Sequence, residues 1–464
     1  MSSRKHRKGG ATLYQTKTAD KVGKNFMVDP KFSFKPRIQV VNATDRATWR
    51  EWTSSSTRSR SIGQDETAVW YEIESQSDRS LFDPTESFVS IEIDIQSSNG
   101  TPFDDTDIIV PPNAFFLYRE FSHYMDSIPM FRLIGGAAEA LTAISLTMDP
   151  KTTQSSTYFT IFPNANDVSA ASVDPTNALF NKKYREINDR GIADGSVAVR
   201  RFNYNIPLKI LDWVSRRTSD LNTALPECEH EYRFDLDSRQ NMVNNIMYSL
   251  GSAAALTGAS ITIPKHTIWA KYLEPSPETL AYFSKNTFDS QMLWLAPDHQ
   301  ILRNRNDTRF TGERVSSYST PVNKVIVFAL DSNLGPAENK VCTKNTFITN
   351  ASLEFNGVRI YASETDNDHD RFMRDYLIAL GYDPTESIQS PLDYDTYKKA
   401  YKSLQAFDLS DVSEKRLNMS NELYFSGNVQ GSTNFDLHFV VIRHSYANVM
   451  YKDNELQIDD TRGV

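Results

Sequence analysis

Only two cysteines, Cys228 and Cys342, occur among the 464 residues. No CxxC pair is present, so the spacings of structural zinc sites and of a disulfide framework are excluded. One bridge between the two is compatible with the sequence, but two reduced thiols in an intracellular protein are the expectation. No apolar run approaches the roughly 18 residues that span a bilayer. The opening "MSSRKHRKGG" has charge but no apolar core of a secretory signal. Asn42-Ala-Thr44 and Asn306-Asp-Thr308 are therefore read as accidental sequons. The glycine-rich phosphate loops, the GxSxG elbow and the HExxH pair are all missing. Glu227, Cys228 and His230 sit together without a second Cys/His pair, which reads as a polar strand or loop. Asp298 and His299 are adjacent, and neighbours on a strand point to opposite faces, so they do not form a dyad. Paired carboxylates for glycoside hydrolysis are defined by distance in space, and the sequence neither shows nor excludes them.

Apolar residues make up 39% of the chain and charged residues 23%, with 21 Tyr and 26 Phe. This is a globular composition rich in residues that suit pleated, half-buried surfaces. The charge is uneven. Residues 1–60 carry 14 Lys/Arg against four acids, a net of +10, so with a total of −9 the rest carries −19. A basic arm on an acidic body suits contact with a polyanion or an acidic partner, with Arg4, Lys5, Arg7 and Lys8 as its candidate contacts; a solvated tail is the other reading.

After about residue 65 the pattern changes. In "SFVSIEIDIQS", Val89, Ile91, Ile93 and Ile95 take one face while Ser90, Glu92, Asp94 and Gln96 take the other. This strict alternation predicts a half-buried strand. "AVWYEIES" (68–75), "TYFTIF" (157–162), "YNIPLKIL" (204–211), "ASITIPKHTIWAKYL" (259–273), "VNKVIVFAL" (322–330), "NASLEF" (350–355) and "NFDLHFVVI" (434–442) read likewise as strands. Asn99-Gly100 and Asn356-Gly357 read as hairpin turns. Many short strands without a strand–helix rhythm predict sandwiches, and more of them than one sandwich holds. Helices are expected over 368–381, 390–404 and 135–147, while 242–256 reads as a helix or a long loop.

Glu364, Asp366, Asp368, His369 and Asp370 form the densest cluster of potential metal ligands. A calcium loop starting at Asp366 fails where it needs Gly, at Arg371, and where it needs a bidentate Glu, at Leu377. The acids instead suit the start of a helix, where carboxylates cap free N–H groups. No metal and no cofactor are expected.

Several ordered segments carry a resemblance. "ASITIPKHTIWAKYLEPSPETL" is followed by "VNKVIVFALDSN", "FITNASLEFNGVRIYAS", "DHDRFMRDYLIALG", a Tyr-containing stretch into "AFDLS", then "FSGNVQGSTNFDLHFVV" and "YANVMYKDNELQID". This order resembles the double jelly-roll major capsid proteins of the Polinton/Maverick and adintovirus type, relatives of hexon and virophage capsid proteins. It implies an all-β fold of two tandem eight-stranded jelly rolls with a few short helices in connecting loops. It also implies an arm over 1–65, a first jelly roll over 66–285 and a second over 286–464. The implied role is structural and non-enzymatic: a homotrimeric, pseudo-hexagonal capsomer tiling the icosahedral shell of a double-stranded DNA virus. The implied partners are neighbouring capsomers, penton and minor capsid proteins, and packaged DNA through the arm. The competing reading of the residues is a β-sandwich carbohydrate-binding protein or glycosidase.

Overall fold

A computed structural model describes residues 44–74, 80–96, 107–109, 114–146, 199–215, 228–239, 241–242, 247–249, 260–276, 288–306, 308–332, 346–362, 377, 404–409, 421–431, 434–452 and 455–462. The first lobe contains β1 (Thr44–Trp52), β2 (Ala68–Ile73), β3 (Leu81–Gln96), β4 (Asp107–Ile109), β5 (Tyr118–Met125), β6 (Ile128–Leu133), helix α1 (Ala137–Leu146), β7 (Val199–Pro207), the single turn α2 (Leu208–Leu211), β8 (His230–Leu236), β9 (Met247–Ser249) and β10 (Ser260–Pro275). Two four-stranded sheets result, ordered β1-β10-β3-β7 and β2-β8-β5-β6, with β4 and β9 as a separate ribbon. All the pairings are antiparallel.

The second lobe runs β11 (Phe288–Arg305), β12 (Arg309–Tyr318), β13 (Val322–Asp331), β14 (Phe347–Phe355), β15 (Val358–Ala362), β16 (Gln405–Asp408), β17 (Asn421–Gln430), β18 (Phe435–Lys452) and β19 (Glu455–Arg462). Its sheets are β11-β18-β13-β16, with β19 added beside β18, and β12-β17-β14-β15. Setting aside β4, β9 and β19, each lobe has eight strands. In each, one sheet takes the first, eighth, third and sixth strands, and the other the second, seventh, fourth and fifth. This is the Greek-key wiring of a jelly roll, used twice. The turns repeat as well. A two-residue turn with positive φ joins the fourth and fifth strands in both lobes: Asp126 (47°) and Ser127 (65°) in the first, Asn356 (48°) and Gly357 (78°) in the second. These are the conformations that match the right-handed twist of a hairpin.

The structure changes several sequence expectations. Thr44–Trp52 lies inside the segment 1–65 that the sequence assigns to the arm, yet it is the first strand of the first jelly roll, paired along its length with β10. It escapes pattern reading because its alternation is broken by Arg46, Arg50 and Glu51. In "YNIPLKIL" the strand stops at Pro207, and Leu208, Ile210 and Leu211 are buried from a helical turn instead. Proline lacks the N–H that a ladder needs, so the apolar run bends. Within 242–256, Met247–Ser249 is a short strand paired with β4. The helix over Ala137–Leu146 forms within its expected span, and the Asn356-Gly357 turn stands where its sequence placed it. Asn99-Gly100, 157–162 and nearly all of 368–381 and 390–404 lie outside the described residues.

Candidate functional site

The strands of the second lobe's first sheet explain how the lobes are joined. "VIVFAL" in β13 and "FVVI" in β18 are continuous apolar runs rather than alternating ones. Such runs suit a strand covered on both faces. Val325, Val327 and Ala329 with Leu437, Phe439 and Val441 fill the interior of the second lobe. The intervening Ile326, Phe328 and Leu330 with Val440 and Ile442 point the other way and join the core cluster of the first lobe. Ile326, Phe328, Val440 and Ile442 are all no more than 3% exposed. First-lobe elements reach this face: α1 meets β18, and β6 meets β11 and β19. The small residues Ala137, Ala140 and Ala143 of α1 are buried and allow a close approach.

A histidine pair lies in this seam. His299 Nδ1 is 2.6 Å from the carbonyl oxygen of Gly135, at the end of β6. A carbonyl only accepts, so Nδ1 carries the proton and donates. His299 Nε2, 3.1 Å from His438 Nδ1, then accepts from it. The His438 ring stacks on Phe328 at 4.7 Å between centroids and on His299 at 5.3 Å. Both imidazoles are neutral: burial lowers His299 to about 4 and His438 well below its usual range. For His438 the second cause is His299 itself, since two charged rings cannot share the site. The backbone turns into α1 at Gly136 (φ 74°), where an added Cβ would meet His299 Cε1 at 2.5 Å. The missing side chain is what admits the ring.

Two further polar centres lie within the first lobe. The Tyr71 hydroxyl donates to the His266 carbonyl (2.5 Å), so His266 Nδ1 donates to the Tyr71 oxygen (2.6 Å) and the Tyr118 hydroxyl donates to Nε2 (3.0 Å). Burial lowers His266 to about 3 and raises both tyrosines. In the second centre, Asp212 accepts from the Ser215 hydroxyl (2.5 Å) and from the Val214 and Ser215 amides. His123 Nδ1 stands 3.0 Å from Asp212 Oδ2, an ion-pair distance without hydrogen-bond alignment. His123 Nε2 lies 3.2 Å from His230 Nδ1, whose Nε2 lies 3.2 Å from Cys228 Sγ. Of the group read as a polar strand or loop, Glu227 lies outside the described residues, Cys228 precedes β8 and His230 opens it. What the sequence reading missed is that His123, distant in the chain, stacks on Tyr232 at 4.3 Å and completes the row. A chain of side chains each touching the next does not converge on one point. Among the described residues no group of three or more His, Cys, Asp or Glu is placed to hold a metal ion.

Arg4, Lys5, Arg7 and Lys8, the acidic cluster from Glu364 to Asp370, and Cys342 all lie outside the described residues. Asp298 and His299 are separated as expected: His299 enters the seam, while Asp298 accepts from the Tyr318 hydroxyl at 2.9 Å.

No protein-family model matches the chain, and no curated protein matches it. Solved structures do. A chain of the Sputnik virophage aligns at a TM-score of 0.61 with 11% identity, covering 93% of this chain and 92% of that one. The Faustovirus major capsid protein aligns at 0.52 with 11% identity, covering 89% and 93%. The mavirus major capsid protein aligns at 0.50 with 11% identity, covering 98% and 97%. The likeness extends over nearly the full length of each neighbour, and the chain has the double jelly-roll fold of viral major capsid proteins.

Proposed function

We propose that this chain is the structural major capsid protein of a double-stranded DNA virus, acting in the virion by assembly and not by catalysis. The observation that carries this reading is the duplication itself: two lobes of identical wiring, joined through a buried seam into one two-lobed block. Two similar lobes per chain let three chains present six similar corners, which tile a shell of hexagonal blocks. Soluble homo-oligomers mostly adopt closed point-group symmetry, and a closed trimer of two-lobed chains is of this kind. The buried polar centres support a structural role. The protons of the His299–His438 and His266 centres are committed to fixed partners, at the seam and inside the first lobe, where they specify packing. In this reading neighbouring capsomers, penton proteins and minor capsid proteins are the partners.

The basic arm belongs to the same proposal. With β1 assigned to the lobe, residues 1–43 carry ten Lys/Arg against two acids, a net of +8. This segment, with Arg4, Lys5, Arg7 and Lys8, faces packaged DNA or an acidic inner protein, and its phosphate contacts are salt-sensitive. The purified protein is expected to sediment as a trimer, and light scattering gives the mass. A stable monomer whose melting temperature rises with added oligosaccharide would favour the carbohydrate-binding alternative and reject this one. Deleting residues 1–30 is expected to leave the trimer intact while impairing particle assembly or genome retention.

A further inference from the structure

The row of side chains from Asp212 to Cys228 has a direction. Asp212 follows α2, His123 stands on β5, His230 opens β8, and Cys228 precedes it by two residues. Asp212, His123 and His230 are no more than 1% exposed. Cys228, at the outer end, is a free and partly exposed thiol.

The proton positions follow from the buried end. Asp212 Oδ2 accepts from the Ser215 hydroxyl (2.5 Å) and amide (3.2 Å), and Oδ1 accepts from the Val214 amide (3.0 Å). Donors on both oxygens are the surroundings of a carboxylate. His123 Nδ1 stands 3.0 Å from Oδ2. A lone pair there would face a negative oxygen, so Nδ1 carries the proton. His123 Nε2 is then an acceptor and takes the Nδ1 proton of His230 across 3.2 Å. His230 Nε2 is left with its lone pair toward Cys228 Sγ, 3.2 Å away. A base so placed draws the proton from a thiol, and Asp212 supports the resulting imidazolium through His123.

The mouth of this row is acidic. Glu229, beside Cys228 in the chain, is under the charges of Glu72 and Glu74 at the end of β2, Asp126 in the β5–β6 turn, and Glu231 on β8. Tyr232, which also interacts with the thiol, is kept protonated by burial and by Asp212. Such a mouth gathers cations and repels anions.

We propose that Cys228 is a modification site, a thiol activated by His230, His123 and Asp212 that captures a small disulfide bearing amino groups. Its proton passes to His230 Nε2, and the thiolate attacks one sulfur of the reagent. The reagent's S–S bond breaks as the new one to Cys228 forms. The departing thiolate takes the proton from His230 and leaves as a free aminothiol. The small disulfide is the oxidant, so the exchange balances with one thiol consumed and one released. The inference does not depend on the shell role.

The probe is cystamine, with dithiodiglycolate as its anionic counterpart, added to the intact chain. Mass spectrometry of peptides follows Cys228 separately from Cys342. At pH 6, wild-type Cys228 is expected to react about fivefold faster than in His230→Gln, since the gain in thiolate is partly offset by its lower nucleophilicity. Asp212→Asn is expected to match that loss, because an amide donating to His123 Nδ1 reverses the whole row. Cystamine is expected to outpace dithiodiglycolate, by a ratio that shrinks as salt is added. Circular dichroism checks the fold of each variant, and the wild-type pH profile decides even where a variant unfolds. The inference is overturned by a Cys228 that stays unmodified in the folded protein. It is equally overturned by a rate that follows pH as an ordinary thiol's does, rising through about 8.5, or by equal rates with the two disulfides.

Discussion

Single side chains at the seam set its sensitivity to acid. His299 is neutral in the fold at about 4, below the ordinary value of 6.5. Its folded value is depressed, so the unfolded chain binds the extra proton first. The stability it protects is complete above about pH 6.5 and is lost as pH falls from there toward 4. The loss is roughly 3 kcal/mol by pH 4. His266, at about 3, acts in the same direction and continues below pH 4. Asp298 and Arg303 act on His299, Arg303 acts on His438, and Asp237, Arg303 and Asp436 act on Glu139 of α1. Glu139, raised mainly by burial, works oppositely at the acid end, because its protonation relieves a buried charge. Urea denaturation at pH 7, 5.5 and 4.5 is therefore expected to show falling stability, and His299→Gln is expected to flatten the slope. Gly136→Ala is expected to cost about 2–4 kcal/mol, since it adds a clash with His299 to an unfavourable positive φ. Gly357→Ala has a similar φ and open space around it, so it is expected to cost about 1 kcal/mol. Histidine spacing in the sequence gives no sign of any of these pairs, because His299 and His438 are 139 residues apart and meet only through the ladder of β11 and β18.

Among elements, the hairpins and the doubly covered strands behave differently. Asn356-Gly357 announces its turn, whereas Asp126-Ser127 adopts the same geometry without glycine. Serine at φ 65° pays a steric penalty that glycine does not, and Asp126 must be kept because its carboxylate accepts from the Glu229 amide. Ser127→Gly is expected to stabilise the protein by about 1 kcal/mol, read as a rise in melting temperature. Half-buried strands were legible because β3 and β2 alternate against solvent. β13 and β18 show unbroken runs, and the sequence marks them as strands without stating what lies on their second face. β1 was missed because an edge strand with Arg46, Arg50 and Glu51 carries the charges that edges use against aggregation, and these blur its period.

For the whole molecule, the seam makes the two lobes one cooperative unit. Wild-type calorimetry is expected to show a single unfolding transition. Ile326→Glu buries a charge on the apolar face of the seam while leaving the interior of the second lobe, built from Val325, Val327 and Phe439, unchanged. It is expected to split the trace into two transitions. One transition that simply shifts to lower temperature would mean that the lobes are coupled elsewhere.

Composition and period fixed the all-β class, the approximate strand set and the need for two sandwiches, because alternation against water is a local property of each strand. They also showed that basic residues gather in the first sixty positions, since charge counts need no coordinates. Only the tertiary structure decided that Thr44–Trp52 opens the first lobe, that both lobes share one wiring, and that Ile326 and Val327 serve different cores. Those facts depend on which distant strands pair, and pairing is settled by the burial that both faces of a sheet achieve together, not by any stretch alone.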